Sequence, residues 1–273
     1  MDKDPFEECR ISGPDRSQKE FAWKTAAGLQ AVDGLQPSAY LIKTAGRNIN
    51  GEITFDEASE SLLSYYRKNR PADASDRTEE ADIVSMRIAA LLCGQAFSFS
   101  PNEYLSIHRK LFSGIFRHAG QIRDYSISKK EWILEGGSVI YGCVFELRAA
   151  LDYDFQEEKR FSYRNLSMDE IIHRLACFIS RLWQIHIFGE GNTRTTAVFL
   201  IRYLRFLGFD EMSDVFARNA WYFRNALVRA NYNDPDRGIH ETTEYLETFL
   251  RSLLLNEEHP LDNETMHISR RPK

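Results

Sequence analysis

The sequence predicts a mostly α-helical fold with one small β-hairpin. Three observations predict it. Apolar residues recur at spacings of three and four through most of the chain, which is the period of a helix that buries one face. Helix-start signatures precede several of these runs. Only residues 121–141 contain short alternating runs, and a Glu-Gly-Gly sequence interrupts them, as in a hairpin.

Helix starts are marked by Ser or Thr followed three residues later by Glu. The three pairs are Thr54 with Glu57, Ser100 with Glu103 and Ser167 with Glu170. In this pattern the hydroxyl accepts from a free backbone N–H and the carboxylate reaches back to the first residue. Pro101 also suits the first helical position, since its missing N–H is not needed there. Each pair therefore predicts where a helix begins.

Two helices have the strongest patterns. The first follows Ser167 and has a broad apolar face that extends to Trp183, and the second runs from about residue 195 to 207 and ends before Gly208. Further helices are predicted over about 85–95, 143–157, 219–231 and 242–255.

Composition divides the chain into four parts. Residues 1–70 form a smaller helical segment, 71–84 a linker, 85–255 the main body and 256–273 a polar tail. The linker prediction rests on the stretch RKNRPADASDRTEE at 67–80, which contains Pro71 and has no apolar period.

Charge and cysteine content exclude several classes of protein. The 273 residues include 35 basic and 40 acidic side chains, and the net charge of −5 argues against a nucleic-acid binder. There is no apolar stretch of about 18 residues, so we expect no membrane span, and the first residues lack the pattern of a secretory signal. Cys9, Cys93, Cys143 and Cys177 form no C-x-x-C pair, so we expect free thiols in a reducing cytoplasm.

The segment between the two strongest helices carries the candidate chemistry. It places His186 at the end of the first helix and directs the free N–H groups of the second helix toward the same point. Gly189 and Gly191 allow a sharp turn and a close approach of the backbone to a ligand. A helix N-terminus preceded by glycines favours an anion, and Arg194 adds a forked cation suited to phosphate oxygens.

A carboxylate beside a phosphate site needs an explanation, and a bridging Mg²⁺ at Glu190 supplies one. Histidine ordinarily titrates near neutral pH, so His186 is expected to be able to take a proton from a hydroxyl. Each residue alone also has a structural explanation, as a helix cap, a turn glycine or a surface charge. Zinc binding by His186 and Glu190 is disfavoured because the glycines around Glu190 break the helix that such a pair needs. Together the residues favour phosphoryl or nucleotidyl transfer.

The sequence HIFGEGNTRTTA at 186–197 resembles the signature of the Fic family, His-x-Phe-x-(Asp/Glu)-Gly-Asn-Gly-Arg-x-x-Arg. The resemblance implies a Fic-type helical core that transfers AMP from ATP to a hydroxyl side chain of a target protein. By position it makes His186 the base and Glu190 the Mg²⁺ ligand. The nucleotide would be bound by Gly189, Gly191, Asn192, Thr193 and Arg194, with Asn192 at the α-phosphate.

The likeness extends over residues 85–255. The stretch from Tyr104 to Lys130 resembles the family's approach to a target-docking flap, and WYFRNALVRANY at 221–232 resembles its helix near the adenine site. Residues 26–58 resemble the antitoxin-like helices that accompany some Fic domains, in which an inhibitory glutamate pairs with the second signature arginine. A plain helical packing role for this N-terminal segment remains an equal alternative.

Three positions depart from the signature. Ile187 replaces a common proline, Thr193 replaces a small residue and is expected to cap the helix or narrow the site, and Ala197 replaces the second arginine. The candidate inhibitory stretch LQAVDG at 29–34 has Asp33 in place of the glutamate, so both halves of the usual inhibitory pair are altered.

These departures leave two alternatives to AMP transfer: a Doc-like phosphotransferase, or a binding module with weak catalysis. The expected partner is a bacterial target protein that docks by edge pairing at the hairpin around Lys129, Lys130 and Trp132. A solvated hairpin is the competing interpretation of those residues, and a homodimer stays open. No membrane or nucleic-acid partner is expected.

Overall fold

The computed structural model describes residues 13–69, 73 and 76–269. Ten α-helices lie within these residues: α1 Arg16–Gly28, α2 Ala39–Ile49, α3 Phe55–Lys68, α4 Thr78–Cys93, α5 Pro101–Phe112, α6 Leu147–Arg160, α7 Met168–Ile185, α8 Asn192–Phe206, α9 Phe216–Arg229 and α10 Glu244–Leu255. In the described part of the chain the only β-type pairing is one isolated bridge between Asp234 and Ile239. The predicted mostly α-helical class is confirmed.

The helix starts agree with the cap patterns. Thr54 and Ser167 each form a complete capping box with the glutamate three residues later. Ser100 accepts from the Glu103 amide at 3.1 Å, and proline occupies the first turn of α5. Each such cap contributes about 1 kcal/mol to helix stability.

Helix α8 forms the centre of the core. Every side chain from Asn192 to Leu204 is buried, and α8 packs against α4, α5 and α7. Phe199 contacts the rings of Phe155 and Phe178, which join α8 to α6 and α7. Because α8 is buried on all sides through residue 204, its N-terminus and the preceding loop have a fixed position.

The N-terminal helices share this core. Helix α1 packs against α4 and α9, and the 3₁₀ turn Leu29–Asp33 that follows it packs against α8 and α9. The Trp23 indole donates to Asn48 at 2.9 Å, which joins α1 to α2. Removal of this segment would therefore expose apolar surface of the main body.

The predicted linker at 71–84 is too long at its C-terminal end. Helix α4 begins at Thr78, and Ala81, Ile83 and Val84 are buried. The sequence did not predict this start because the first turn is acidic. Glu80 is charged, and it is nevertheless buried because it forms ion pairs. Residues 70–72 and 74–75 lie outside the described residues.

The predicted hairpin at 121–141 is not formed as two strands. Residues 121–143, here called the flap, run without assigned strands around the 3₁₀ turn Trp132–Leu134. The Glu131 amide donates to the Gly137 carbonyl at 2.8 Å and closes this turn. Ile133 and Leu134 are adjacent and both buried, so the segment cannot keep the alternation of a strand.

The predicted polar tail is partly ordered against the core. The 3₁₀ turn Asn263–Met266 packs on α9, and Met266 is buried. The Ile268 amide donates to the Ile133 carbonyl at 3.0 Å and so joins the tail to the flap. Residues 270–273 lie outside the described residues.

Two further findings concern cysteines and membranes. Cys93, Cys143 and Cys177 carry free thiols, and Cys9 lies outside the described residues. Across the described ranges, no helix combines the length and apolarity that a membrane crossing requires.

Candidate functional site

Helices α7 and α8 are joined by a loop of six residues, 186–191, which we call the junction loop. His186 caps the C-terminus of α7 in the left-handed region with φ 48°, and Gly191 precedes α8 with φ 74°. The Asn192 side chain closes the loop, since its oxygen accepts from the Phe188 amide at 3.0 Å and its nitrogen donates to the Phe188 carbonyl at 2.8 Å. The resemblance implies that Asn192 contacts the α-phosphate, and in this structure the same side chain fixes the shape of the loop.

The two glycines of the junction loop are required by close neighbours. A Cβ atom at Gly189 would lie 2.4 Å from the Tyr125 hydroxyl, and one at Gly191 would lie 2.5 Å from the Phe112 ring. Gly191 also has a positive φ, which other residues adopt only with strain. The close approach in this structure is to the protein's own side chains.

His186 is buried, and its two ring nitrogens have no hydrogen-bond partner in the described residues. The ring packs against Tyr141, with centroids 4.1 Å apart, and meets the edge of Trp183 at 5.5 Å. Buried polar atoms without partners cost about 1–3 kcal/mol each and call for a functional explanation. Both nitrogens are therefore unpaired, and each is enclosed by protein in this structure.

The electrostatic environment keeps this imidazole neutral. Burial lowers the pKa of His186 well below its ordinary value, and the positive charges of Lys129, Arg123 and Arg224 lower it further. A neutral imidazole with an unoccupied nitrogen is the form that accepts a proton.

Arg123 holds the flap against the junction loop. Its amide donates to the Ile187 carbonyl at 2.9 Å, and its guanidinium donates to the carbonyls of His186 at 2.7 Å, Gly142 at 2.6 Å and Tyr125. The side chain is buried. The Arg123 guanidinium therefore donates to carbonyls that are not paired in a strand, and it fixes the strained backbone at His186.

His108 supports the loop from α5. Its Nδ1 accepts from the Gly120 amide at 2.7 Å, so its Nε2 carries the proton and donates to the Glu190 carbonyl at 2.9 Å. The ring stacks on Phe188 with centroids 3.7 Å apart. Burial lowers the pKa of His108 to about 4, so the ring is neutral near pH 7.

The Glu190 carboxylate is half-exposed, and Lys129 Nζ lies 3.6 Å from its Oε2. The described residues contain no cluster of three His, Cys, Asp or Glu side chains suited to a metal. Mg²⁺ is commonly held by one carboxylate together with substrate phosphates and water. Because Glu190 makes one loose ion pair and keeps lone pairs free, it fits that role as a single protein ligand.

Arg194 is completely buried and fully engaged by side chains outside the junction loop. Its Nη1 donates to Gln30 Oε1 at 3.0 Å, and its Nη2 donates to Glu80 Oε1 at 2.8 Å. Its Nε lies 2.8 Å from Asp33 Oδ2, an ion pair in which the N–H is not aligned as a hydrogen bond. Asp33 and Gln30 belong to the candidate inhibitory stretch, so this stretch contacts the first signature arginine, Arg194.

Two departures from the signature have clear structural outcomes. The expectation that Thr193 caps α8 is wrong, because its hydroxyl accepts a hydrogen bond from the Trp183 indole at 3.0 Å. Ala197 is fully buried, so the second arginine position faces packed protein.

A cavity of about 360 Å³ lies between the candidate inhibitory stretch and α9. It is lined by Ala31, Val32, Asp33, Gly34, Trp221 and Arg224. The Arg224 guanidinium lies 5.0 Å over the Trp221 ring and pairs with the buried Glu131 through contacts of 2.6 and 3.0 Å. Glu131 also accepts from the Tyr141 hydroxyl at 3.3 Å, which connects this wall to His186.

Sequence reasoning missed four contributors to the site: Glu80, His108, Arg123 and the pairing of Asp33 with Arg194. No local pattern marks them, since their contacts with His186, Glu190 and Arg194 span at least 63 positions. A charged residue such as Glu80 within an otherwise apolar helical period was the one available signal.

The comparisons with known proteins agree with the loop geometry. Residues 98–204 match the model of the Fic/DOC family, and this span contains α5, the flap, the junction loop and most of α8. Searches of curated proteins and of solved structures gave no match. The match supports a Fic domain of the Fic/DOC family over residues 98–204.

Proposed function

We propose that the protein transfers AMP from ATP to a Ser, Thr or Tyr hydroxyl of a target protein. The observation that carries this proposal is the neutral, unpartnered His186 at the C-terminus of α7, four residues before the half-exposed Glu190. Members of the Fic/DOC family commonly transfer nucleotides to proteins, and the free amides and dipole of the α8 N-terminus favour a phosphate.

The proposed step balances as follows. The target hydroxyl oxygen bonds to the α-phosphorus, the bond from that phosphorus to the bridging oxygen breaks, and pyrophosphate leaves. A ring nitrogen of His186 takes the hydroxyl proton. Mg²⁺ bound through Glu190 neutralises charge on the phosphates when present. Arg123 and Tyr141 keep the imidazole in place.

Nucleotide placement follows from the surrounding walls. The cavity beside Trp221 is the proposed seat of the base, because a planar aromatic ring and a guanidinium suit stacking. The target protein needs an exposed docking surface near the flap. Trp132 is half-exposed there, and Ile140 and Phe145 are 85% and 93% exposed. We place target docking on this side of the flap, since Lys129 contacts Glu190.

The N-terminal segment is proposed to restrain the enzyme. Arg194 cannot reach a phosphate while Asp33, Gln30 and Glu80 occupy its guanidinium. Because α1 belongs to the common core, deletion of residues 1–70 is a poor test of this restraint. Single substitutions at Asp33 leave the core intact and test it directly.

The test of function is incubation with target lysate and ATP labelled at the α- or γ-phosphate. The expected result is protein-bound label from α-labelled ATP only, and its loss in His186→Ala. Ile187 and Ala197 also match Doc-like relatives, so label from γ-labelled ATP alone would assign phosphoryl transfer instead. The second candidate is a binding module with weak catalysis, which the buried Ala197 and the occupied Arg194 favour. Absence of ATP binding at millimolar concentration would assign that role.

A further inference from the structure

Helix α8 offers no exposed cation to a phosphate chain in its first two turns. The Arg194 side chain has no exposed surface and lies between the carboxylates of Asp33 and Glu80. Ala197, the next position where a cation would face the same side, is uncharged and fully buried. The phosphates beyond the α-phosphate of a nucleotide must therefore find their positive charge elsewhere.

Arg77 lies next to the buried arginine. It precedes α4, and its Nε and Nη2 contact Glu80 at 2.8 and 2.7 Å. The Nη2 groups of Arg77 and Arg194 contact the same oxygen, Glu80 Oε1, at 2.7 and 2.8 Å. The Arg77 side chain is 41% exposed, so the arginine pair joined by Glu80 has one solvent-facing member.

Lys129 provides a second cation from the flap. Its Nζ lies 3.6 Å from the Glu190 carboxylate, and its side chain is 29% exposed. The pKa of Arg77 is raised by Glu80 foremost, and Glu190 contributes to the same shift. Two partly exposed cations from different segments thus lie beside the signature residues: Arg77 reaches Arg194 through Glu80, and Lys129 contacts Glu190.

We infer that Arg77 and Lys129 bind the distal phosphates of a nucleoside triphosphate and so select it over the monophosphate. This inference rests on the proposed function, because it assumes a nucleotide at the junction loop. On binding, the cations exchange contacts with Glu80 and Glu190 for contacts with phosphate oxygens, and no covalent bond changes. Arg77 supplies the forked geometry that suits phosphate, and Lys129 supplies a point charge.

Calorimetry of the full chain with ATP, ADP and AMP in the presence of Mg²⁺ tests the inference. Arg77→Ala and Lys129→Ala should each weaken ATP binding about 10-fold or more, the effect of one charged hydrogen bond. AMP binding should change less than about 3-fold. The matched control is Arg67→Ala, which removes an exposed cation on α3 and should leave ATP binding unchanged.

A second set of variants separates phosphate binding from simple neutralisation of Glu80. In a Glu80→Gln background, Arg77 has no carboxylate to neutralise, so Arg77→Ala should still lower ATP affinity there if it contacts phosphate. Arg77→Lys should restore part of the loss. Equal losses for ATP and AMP, or no further loss in the Glu80→Gln background, would overturn the inference and leave the proposed function in place. Absence of any nucleotide binding by the unmodified chain would overturn both.

Discussion

The substitution Asp33→Ala should raise activity, because it removes one of three partners that hold Arg194 away from a phosphate. Asp33 is partly exposed and its oxygen lies 2.8 Å from the buried Nε of Arg194. A charged contact of this kind is worth about 1.5–3 kcal/mol, which corresponds to about 10- to 150-fold. Since the N–H is not aligned on the oxygen and Glu80 stays in place, we expect the lower end, about a 10-fold increase in labelling at subsaturating ATP.

The assay is initial-rate labelling from α-labelled ATP at ATP concentrations below and above saturation. The gain should appear at low ATP and shrink at saturation, because the variant changes competition for Arg194 and leaves His186 untouched. Asp152→Asn, which alters an exposed ion pair on α6, is the matched control and should have no effect. Unchanged or reduced labelling by a folded Asp33→Ala protein would refute the restraint.

Three further predictions follow from the site. His186→Ala should reduce labelling by about 10²- to 10⁴-fold, the contribution of a general base, with ATP affinity measured by calorimetry nearly unchanged. Stability should fall as pH drops from about 6.5 toward 4, because the unfolded chain protonates His108 in this range and the folded chain resists it. A folded-state pKa of about 4 corresponds to a loss of about 3 kcal/mol in the free energy of unfolding over this range. Urea unfolding midpoints measured across the range should show this loss, and a His108→Gln variant should show a weaker pH dependence. Gly191→Ala should destabilise the fold by about 1–3 kcal/mol through its positive φ and the Phe112 contact, and an unchanged melting temperature would contradict this.

Local patterns in the sequence were sufficient for much of the fold. The capping pairs at Thr54 and Ser167 are interactions over three residues, so the sequence contains all of their parts. The junction loop was likewise predictable, because His186, Gly191 and the start of α8 lie within one short stretch whose geometry two helices dictate.

The rest depended on contacts between distant residues. The start of α4 was missed because Glu80 appears solvated until Arg194, far along the chain, is brought beside it. The flap was expected to pair as strands, but the Arg123 side chain takes the carbonyls that a strand partner would use. The same long-range pairing decides that Arg194 is occupied in this structure.

The most direct test of the account is mass spectrometry of a host lysate incubated with ATP, Mg²⁺ and the Asp33→Ala protein. A host protein is expected to gain the mass of one AMP on a Ser, Thr or Tyr hydroxyl. Asp33→Ala combined with His186→Ala is expected to yield no such adduct. An adduct that persists without the imidazole, or an added phosphate in place of AMP, would contradict it.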